Sequence, residues 1–380
     1  MRKFFYVGVI FLILFEAMNV YFIMPFPGSQ RQPSIDLAYF LYRSRWNFRF
    51  VFLFLMLLGL LPAFRSHRWL TIFLVLLVGS VIWYVNFQMA ADHMFYQPGS
   101  KQMATVTENR IGEEKLVIGV VQGTDARAYP IQLIAYHHQV LDTVGGKPLM
   151  VTYCSVCRTG RVFEPLVDGR PETFRLVGMD HFNAMFEDTR TGSWWRQATG
   201  EAITGGSKGK ALPEYFSRQT SLKQWLRLYP DSRIMQPDTV FAEQYGKLAL
   251  YDSGFSKGSL TRTDTSSWKD KSWVVGIIVK GKAKAYDWNR LKKDGVVQDI
   301  VDDVPVVIVM GGDGTSFFAF RRPDPGVLLS RSGDSLRGGG MSWDLKGKVG
   351  VGDRSLDPVP AYQEFWHSWK TFHPGTLEYK

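Results

Sequence analysis

Residues 119–163 read GVVQGTDARAYPIQLIAYHHQVLDTVGGKPLMVTYCSVCRTGRVF, and an ungapped shift of 157 positions aligns them with residues 276–320, GIIVKGKAKAYDWNRLKKDGVVQDIVDDVPVVIVMGGDGTSFFAF. Glycine, alanine, tyrosine, aspartate, proline and phenylalanine residues coincide along the alignment. Cys154 and Cys157, the only cysteines of the chain, both align with glycine. A scaffold that is duplicated while one copy carries a Cys-x-x-Cys pair indicates where chemistry is possible, without naming that chemistry.

The similarity continues beyond these stretches and predicts the fold class. Trp225 and Trp369 lie at matching places, each five residues before a proline. Short β-branched runs bounded by Gly, Pro and Asp are typical of strands. We therefore predict an α+β, β-rich protein with two pseudo-symmetric, mainly antiparallel β units that also carry short helices. Residues 107–244 form the unit with the Cys-x-x-Cys pair, and residues 272–380 form the unit without it.

Individual elements follow from the same patterns. Residues 149–153 and 306–310 are apolar, follow a proline in each copy and predict central strands. Residues 161–165 and 317–320 are their expected partners, each reached through a short turn. Short helices are expected at residues 130–137, 221–229, 287–293 and 364–372.

Residues 1–92 are predicted to be a membrane anchor with three transmembrane helices. Residues 4–24, 48–64 and 69–89 are apolar, and each stretch is long enough to cross a hydrocarbon layer of about 30 Å as a helix. Two basic residues precede the first stretch, as in a secretory signal peptide. However, no small-x-small cleavage site follows, and two more apolar stretches do.

Two polar residues, Glu16 and Asn19, lie inside the first apolar stretch. Polar groups are costly in lipid, so we expect both side chains to face neighbouring helices. A functional intramembrane acid is the alternative interpretation of Glu16.

The net charge of +10 does not indicate a nucleic-acid partner. Eight of the 45 Lys and Arg residues but only two of the 35 acidic residues fall within residues 1–90, so most of the excess flanks the apolar stretches. Basic residues there fit anchoring to membrane lipid, whereas a nucleic-acid surface needs a basic patch on the soluble part. With the N-terminus inside, the basic residues divide four against four between the two sides, so they do not decide the orientation.

The Cys154–Cys157 pair directly follows a predicted strand, and the next strand begins almost at once. In thioredoxin-like enzymes the motif instead begins a helix, whose dipole lowers the pKa of the first thiol. The context here resembles a knuckle turn between two strands, where backbone amides favour thiolate or a bound metal. A structural disulfide, or two buried thiols without chemistry, is the alternative.

Further metal ligands are expected in residues 178–188, which concentrate His, Asn, Met and acids in the cysteine-bearing unit. His181 and Met185, together with the two thiols, are soft or borderline ligands that suit copper or zinc better than magnesium or calcium. An ordinary strand with a polar edge, and His181 as a surface histidine, is the competing interpretation.

The combined motifs resemble one known family. They are Tyr153-Cys154-x-x-Cys157, Asn183-x-Met185-x-x-Asp188-x-x-Thr191-x-Ser193-x-Trp195-x-Gln197-x-x-Gly200-Glu201-Ala202, and Trp225 with Tyr229-Pro230. This order is similar to the prokaryotic domain-of-unknown-function family 3179 and covers most of residues 110–380. Family members often have Pro and Leu between the cysteines and Gly after them, where this chain has Ser155, Val156 and Arg158.

The resemblance implies an extracytoplasmic domain behind a signal peptide or membrane anchor, and it brings no established activity. We therefore expect a multi-pass protein of the inner (cell) membrane whose soluble domain is periplasmic or extracytoplasmic. Its function is expected to be a thiol-redox or soft-metal site at the Cys-x-x-Cys turn. The alternative is a non-catalytic binding or assembly module with a structural disulfide, and the sequence leaves open whether the protein is an enzyme.

Overall fold

The computed structural model of this chain describes residues 1–352 and 354–380, which form a strand-rich α+β protein. These residues separate into two compact units. The first unit contains Met1–Tyr96, Glu172–Arg196 and Glu201–Ala211. The second unit contains Gln97–Pro171, Gln197–Gly200 and Leu212–Lys380. The fold class predicted from the sequence, α+β and rich in strands, is confirmed.

The elements are numbered in chain order. The α-helices are α1 (Arg2–Tyr21), α2 (Ile35–Arg43), α3 (Arg45–Ser66), α4 (Arg68–Trp83), α5 (Ala91–Met94), α6 (Ile131–His137), α7 (Leu222–Leu228), α8 (Ala242–Lys247), α9 (Trp288–Asp294) and α10 (Trp366–Phe372). The strands are β1 (Met103–Ala104), β2 (Leu116–Gln122), β3 (Asp125–Pro130), β4 (Gln139–Val144), β5 (Lys147–Cys154), β6 (Thr159–Phe163), β7 (Leu166–Val167), β8 (Arg170–Pro171), β9 (Phe174–Asp180), β10 (Asn183–Asp188), β11 (Trp194–Arg196), β12 (Ala202–Thr204), β13 (Arg218–Ser221), β14 (Arg233–Met235), β15 (Trp273–Val279), β16 (Lys282–Asp287), β17 (Val296–Val301), β18 (Val304–Met310), β19 (Phe317–Arg321), β20 (Ser330–Ser332), β21 (Ser335–Gly338), β22 (Met341–Asp344), β23 (Val349–Val351), β24 (Ala361–Phe365) and β25 (Leu377–Glu378). One π-helical turn, Tyr84–Gln88, continues α4.

Within residues 1–352 and 354–380, three helices are long and apolar enough to cross a membrane: Arg2–Tyr21, Arg45–Ser66 and Arg68–Gln88. They match the three spans predicted from the sequence. Helices α1 and α3 pack closely at Gly8 and Gly59, where an added Cβ would overlap atoms of the facing helix. Small residues at such crossings allow the close backbone approach on which packing in lipid depends.

The first unit also contains a four-stranded antiparallel sheet in the order β12-β11-β10-β9. Its apolar side chains Val177, Met185 and Trp194 share one buried cluster with Val20 and Ile23 from the end of α1. Helix α2, which the sequence analysis did not predict, packs on the same sheet, because the Tyr39 ring meets Trp194 edge-on at 5.1 Å between ring centroids. The sheet and the apolar helices therefore share one core.

The second unit contains five sheets of three or more strands among its described residues. Their strand orders are β1-β14-β3-β2-β13, β4-β5-β6, β24-β15-β16-β25, β17-β18-β19 and β20-β21-β22-β23. Strands β5 and β18 are central in their sheets, as predicted. The four predicted short helices are α6, α7, α9 and α10, each within two residues of its expected bounds.

Two buried tryptophans anchor the last helices of the similar stretches. Trp225 and Trp369 are both fully buried. A Cβ added at Gly119 would overlap the Trp225 ring, and one at Gly276 would overlap the Trp369 ring. Glycine in the strand therefore lets the ring lie flat against the backbone, which fixes the helix on the sheet.

Candidate functional site: two thiols in a buried turn

The two cysteines occupy the turn that joins β5 to β6. Cys154 ends β5 and pairs with Thr159, the first residue of β6, so the predicted turn between two strands is present. No disulfide joins the two cysteines, both are fully buried, and they lie 4.0 Å apart. Arg158 closes the turn with a φ of 56°, in the left-handed region that favours glycine. The turn therefore holds the two cysteine side chains beside each other and away from solvent.

Side chains from the segment between the two similar stretches bind the backbone of this turn. The Tyr251 hydroxyl donates to the Ser155 carbonyl oxygen at 2.9 Å. Lys271 Nζ donates to the Val156 carbonyl oxygen at 2.6 Å. Release of the turn from its surroundings therefore requires that both hydrogen bonds break.

Helix α10 and the residue before it also contact the turn. The Phe365 backbone N–H donates to the Cys157 carbonyl oxygen at 2.9 Å. His367 Nε2 lies 3.3 Å from the Val156 carbonyl oxygen, and since that oxygen can only accept, Nε2 carries the proton. Burial lowers the pKa of His367 to about 4, so the ring is neutral near pH 7.

The groups around Cys157 shift the pKa of its thiol in opposite directions. Burial raises the pKa of the Cys157 thiol well above its ordinary value, and a hydrogen bond with Cys154 and the nearby charge of a Cys154 thiolate raise it further. A hydrogen bond between Cys157 and Ser368 and the charge of Lys271 act in the opposite direction. Desolvation is the largest effect, so Cys157 rests as a protonated thiol, and the Ser368 and Lys271 groups are placed to stabilise a thiolate when water enters.

Behind Ser368 lies a fully buried ion pair. Arg161 Nη2 donates to Glu364 Oε1 at 2.5 Å, and the Ser368 hydroxyl donates to Glu364 Oε2 at 2.9 Å. Burial raises the pKa of Glu364, while the Arg161 charge opposes that shift. The guanidinium also lies over the Tyr362 ring, 3.4 Å from its centroid. Ser368 thus connects the Cys157 thiol to a buried carboxylate.

Arg158 is a second buried cation of the site, and its donors are matched by acceptors. It donates to Gln363 Oε1 at 2.7 Å and to the carbonyl oxygens of Tyr251 and Asp252 at 3.1 and 2.9 Å. Its guanidinium lies 3.6 Å from the centroid of the Trp273 ring. This side chain ties the cysteine turn to residues 251–252 and to β24.

The predicted metal ligands His181 and Met185 lie in the first compact unit, whereas the cysteines lie in the second. His181 Nδ1 is 2.6 Å from Asp180 Oδ1 in the turn between β9 and β10. Met185 is fully buried in the apolar cluster that contains Trp194. Among the residues that the structure describes, no group of three or more His, Cys, Asp or Glu side chains is placed to hold a metal ion.

The sequence predicts the two cysteines as site residues but not Lys271, Ser368 or Glu364. The sequence carries one signal for Lys271: the shift of 157 positions aligns this basic residue with the acidic Glu114. Ser368 and Glu364 lie more than 200 residues from Cys157. Their proximity to it depends on how β24 and α10 pack.

These observations define a class: a strand-rich α+β protein with three N-terminal helices long and apolar enough to cross a membrane and a buried Cys-x-x-Cys turn between two strands of its second compact unit. A family model described as "Protein of unknown function (DUF3179)" matches residues 97–376, which is most of the chain, so the chain belongs to that family. The match begins directly after the apolar helices. A search of curated proteins and a search of solved structures each returned no match.

Proposed function

We propose that this protein is a membrane-anchored, extracytoplasmic thiol–disulfide redox protein in which Cys154 and Cys157 cycle between dithiol and disulfide. The observation that carries the proposal is the pair of buried cysteines 4.0 Å apart in one turn and not joined by a disulfide. A disulfide bond is about 2.05 Å long, so the two sulfurs need to approach by only about 2 Å, within the reach of side-chain rotation. The turn can therefore close the bond without a change of fold.

The chemistry that fits this pair is exchange with a disulfide of a partner molecule. When water reaches the turn, Cys157 loses its proton, and its thiolate attacks one sulfur of the partner disulfide and expels the other as a thiolate. Cys154 then attacks the mixed disulfide, which forms the Cys154–Cys157 bond and releases the second partner thiol. Two electrons pass to the partner, which leaves as two thiols. Lys271 and Ser368 support the Cys157 thiolate in the first step.

A soft-metal site is the second form of the same proposal. Two thiolates provide two of the four ligands that zinc prefers, and His181 and Met185 remain the proposed additional ligands for copper or zinc. The geometry favours redox chemistry, because the Cys157 thiol interacts with Cys154 and Ser368. Among the described residues, no third His, Cys, Asp or Glu side chain joins the two thiols in a group that could hold a metal ion. A binding or assembly module with a structural disulfide is the remaining alternative.

We further propose that residues 107–244 and 272–380 are pseudo-symmetric repeats. Hydrogen bonds at matching positions support this: Tyr129 to Asp142 and Tyr286 to Asp299, then Trp225 to Ser232 and Trp369 to Thr376. Gln219 and Gln363 pair with each other at 2.9 Å, and they hold matching places opposite Ile118 and Val275. A direct contact between equivalent residues is what a two-fold arrangement of two repeats requires.

The proposed membrane topology has the N-terminus inside, three spans and the soluble part outside. It is supported by the three apolar helices and by the extracytoplasmic character of the family. A compartment-sensitive reporter fused after Lys380 should read outside when a reporter at Met1 reads inside. Reporters that place both ends on one side would eliminate the three-span arrangement, because an odd number of spans separates the ends.

The redox proposal is tested on the full chain in lipid nanodiscs by titration of free thiols with an aromatic disulfide reagent and by metal analysis of the same sample. Wild type should release two equivalents of reagent thiol and end with an internal disulfide. Cys154→Ser and Cys157→Ser, as matched single variants, should each stop at one equivalent of mixed disulfide. The double variant should react with none and stay folded, with a loss of about 1–3 kcal/mol for the buried polar replacements.

Three results would contradict the redox proposal. One equivalent of copper or zinc that resists a chelator and blocks both thiols would establish the metal form instead. A disulfide that mild reductant does not open, together with a double variant that fails to fold, would establish the structural alternative. Two reagent groups retained on the wild type as mixed disulfides, with no internal disulfide, would show that the thiols do not act as a pair.

A further inference from the structure

Inside the membrane anchor, three polar side chains form one buried network. Arg49 donates to both carboxylate oxygens of Glu16, at 2.6 and 2.9 Å. Asn86, in the π-helical turn, accepts from Arg49 at 2.8 Å and donates to Glu16 at 3.2 Å. Ionisable residues at membrane depth and π-helical turns are both concentrated at functional sites. The region around this network is therefore a candidate functional site.

A cavity of about 280 Å³ that opens to the surface lies next to this network, within the first compact unit. The last turns of α1, the start of α3, the π-helical turn and β9 line it. Asn19 faces the cavity, is only 7 % exposed, and its side-chain oxygen has no hydrogen-bond partner among the described residues. A buried polar atom without a partner costs free energy, so a ligand that donates a hydrogen bond to this oxygen would be stabilised.

A second polar group of the cavity, the Arg45 guanidinium, can bind an anion. Arg45 donates through Nη1 to the Tyr42 carbonyl oxygen at 2.6 Å, and within the described residues this is its one hydrogen bond. Its remaining guanidinium N–H groups suit a phosphate oxygen. The other arginine of the lining, Arg175, is already paired with Asp92 at 3.1 Å. The cavity thus has one anion-binding group and one acceptor that needs a donor.

The cavity lies at the level expected for lipid head groups. Trp46 at the start of α3, Trp83 at the end of α4 and Tyr84 beside it are exposed, and Trp and Tyr gather at the membrane–water interface. Apolar side chains of the lining, Val20 and Val85 among them, continue towards the hydrocarbon region. An occupant therefore has a polar end at the interface and an apolar end in the bilayer.

We propose that this cavity binds the head group of a single phospholipid whose phosphate pairs with Arg45 and whose additional hydrogen-bond donor, an ammonium or a hydroxyl, pairs with Asn19. Phosphatidylethanolamine and phosphatidylglycerol carry such a donor. Phosphatidylcholine carries the phosphate without the donor. A quinone has acceptors only and would leave the Asn19 oxygen unpaired.

The test uses the full chain in nanodiscs of equimolar phosphatidylethanolamine, phosphatidylglycerol and phosphatidylcholine, and native mass spectrometry counts the lipid retained after release from the disc. Wild type should retain phosphatidylethanolamine or phosphatidylglycerol about tenfold over phosphatidylcholine, as expected for one buried acceptor left unpaired. Asn19→Leu should abolish the preference among lipids. Arg45→Gln should lower retention of all three.

Two matched controls locate the effect in the cavity. Asn47→Leu changes an exposed asparagine of the same interface, and Arg68→Gln changes an arginine at the start of α4; both should behave as wild type. Equal retention of phosphatidylethanolamine and phosphatidylcholine by wild type would overturn the proposal, and that comparison stands even if Asn19→Leu fails to fold. Loss of preference in the Asn47→Leu control would also overturn it.

Discussion

Two hairpin turns at matching places in the sequence contain different residues. One is residues 154–157, between β5 and β6, and the other is residues 311–314, between β18 and β19. In the second turn Asp313 accepts from the backbone N–H groups of Thr315 and Ser316 at 3.1 and 2.9 Å, and Gly314 adopts a φ of 68°. In the first turn two thiols lie side by side. A hairpin of this kind therefore forms without cysteine, so the thiols are not needed to make the turn.

The side chains packed behind the two turns also differ, because a charged pair is present at only one of them. The ion pair Arg161–Glu364 lies behind the cysteine turn, and the positions that match these two residues hold Phe318 and Thr220. Charged groups that stabilise or relay a proton therefore surround the thiols and are absent from the corresponding two positions. This asymmetry is what a repeat that keeps its scaffold and varies its site would produce.

The largest expected effect tests whether the two scaffolds are equivalent. Trp225→Ala and Trp369→Ala should each lower the free energy of unfolding by about 3–5 kcal/mol, since each removes a fully buried ring that lies on a strand glycine. Thermal and denaturant unfolding of the full chain in nanodiscs measures both. Trp46→Ala, at an exposed ring of the anchor, is the matched control. Costs that differ by more than about 2 kcal/mol would break the proposed equivalence.

The next effect tests the charged groups behind the thiols. Glu364→Thr should cost about 3 kcal/mol, because it leaves Arg161 buried without its main partner. That is the lower end of the usual range, since Glu214 remains 3.6 Å from Arg161. Adding Arg161→Phe, which reproduces the Phe318 and Thr220 found at the matching positions, should recover at least half of the loss. If the double variant is no more stable than the single one, the two positions are not interchangeable between the copies.

How far the sequence predicts these differences depends on the range of the interactions. The strands around Cys154 follow from local apolar runs and from a proline, and the three spans follow from composition, because both patterns act within about 20 residues. Helix α2 was missed because its nine residues, Ile35–Arg43, mix charged and aromatic side chains. The contact of Ser368 with Cys157 joins residues 211 positions apart, and a single sequence carries no pattern for it.

A moderate effect is expected on acidification, from a position where the copies again differ. His138 has a φ of 61°, matching Gly295 with 71°, and it donates through Nδ1 to the Tyr153 carbonyl oxygen at 3.0 Å. Burial lowers the pKa of His138 to about 4, from 6.5 when unfolded. The folded state therefore holds the neutral ring: its stabilisation is complete above the unfolded pKa and is lost as the pH falls from about 6.5 to about 4.

We expect His138 to contribute a loss of about 2 kcal/mol between pH 7 and pH 4.5. His138→Asn removes the titrating group and tolerates the left-handed conformation, so its stability should fall less over the same range. His367 and His373, whose pKa values burial also lowers, to about 4 and about 3, give both proteins a common remaining acid dependence. Parallel curves for wild type and variant would assign the acid sensitivity to those two residues instead.

The smallest effect separates the charge of Lys271 from its hydrogen bonds. Lys271 contacts the cysteine turn, and the shift of 157 positions aligns it with Glu114, a residue of opposite charge. Lys271→Met should raise the pKa of the Cys157 thiol further, because a positive charge that favours the thiolate is gone, and alkylation near pH 8 should slow by no more than about tenfold. The same change also breaks the bond to the Val156 carbonyl oxygen, which loosens the turn and raises the rate at every pH. The pH at which alkylation is half-maximal separates the two, since loss of the charge raises it whereas entry of water into a loosened turn lowers it. Lys271→Arg keeps the charge and should leave that pH unchanged, and a value that does not rise in Lys271→Met would mean that the lysine holds the turn without tuning the thiol.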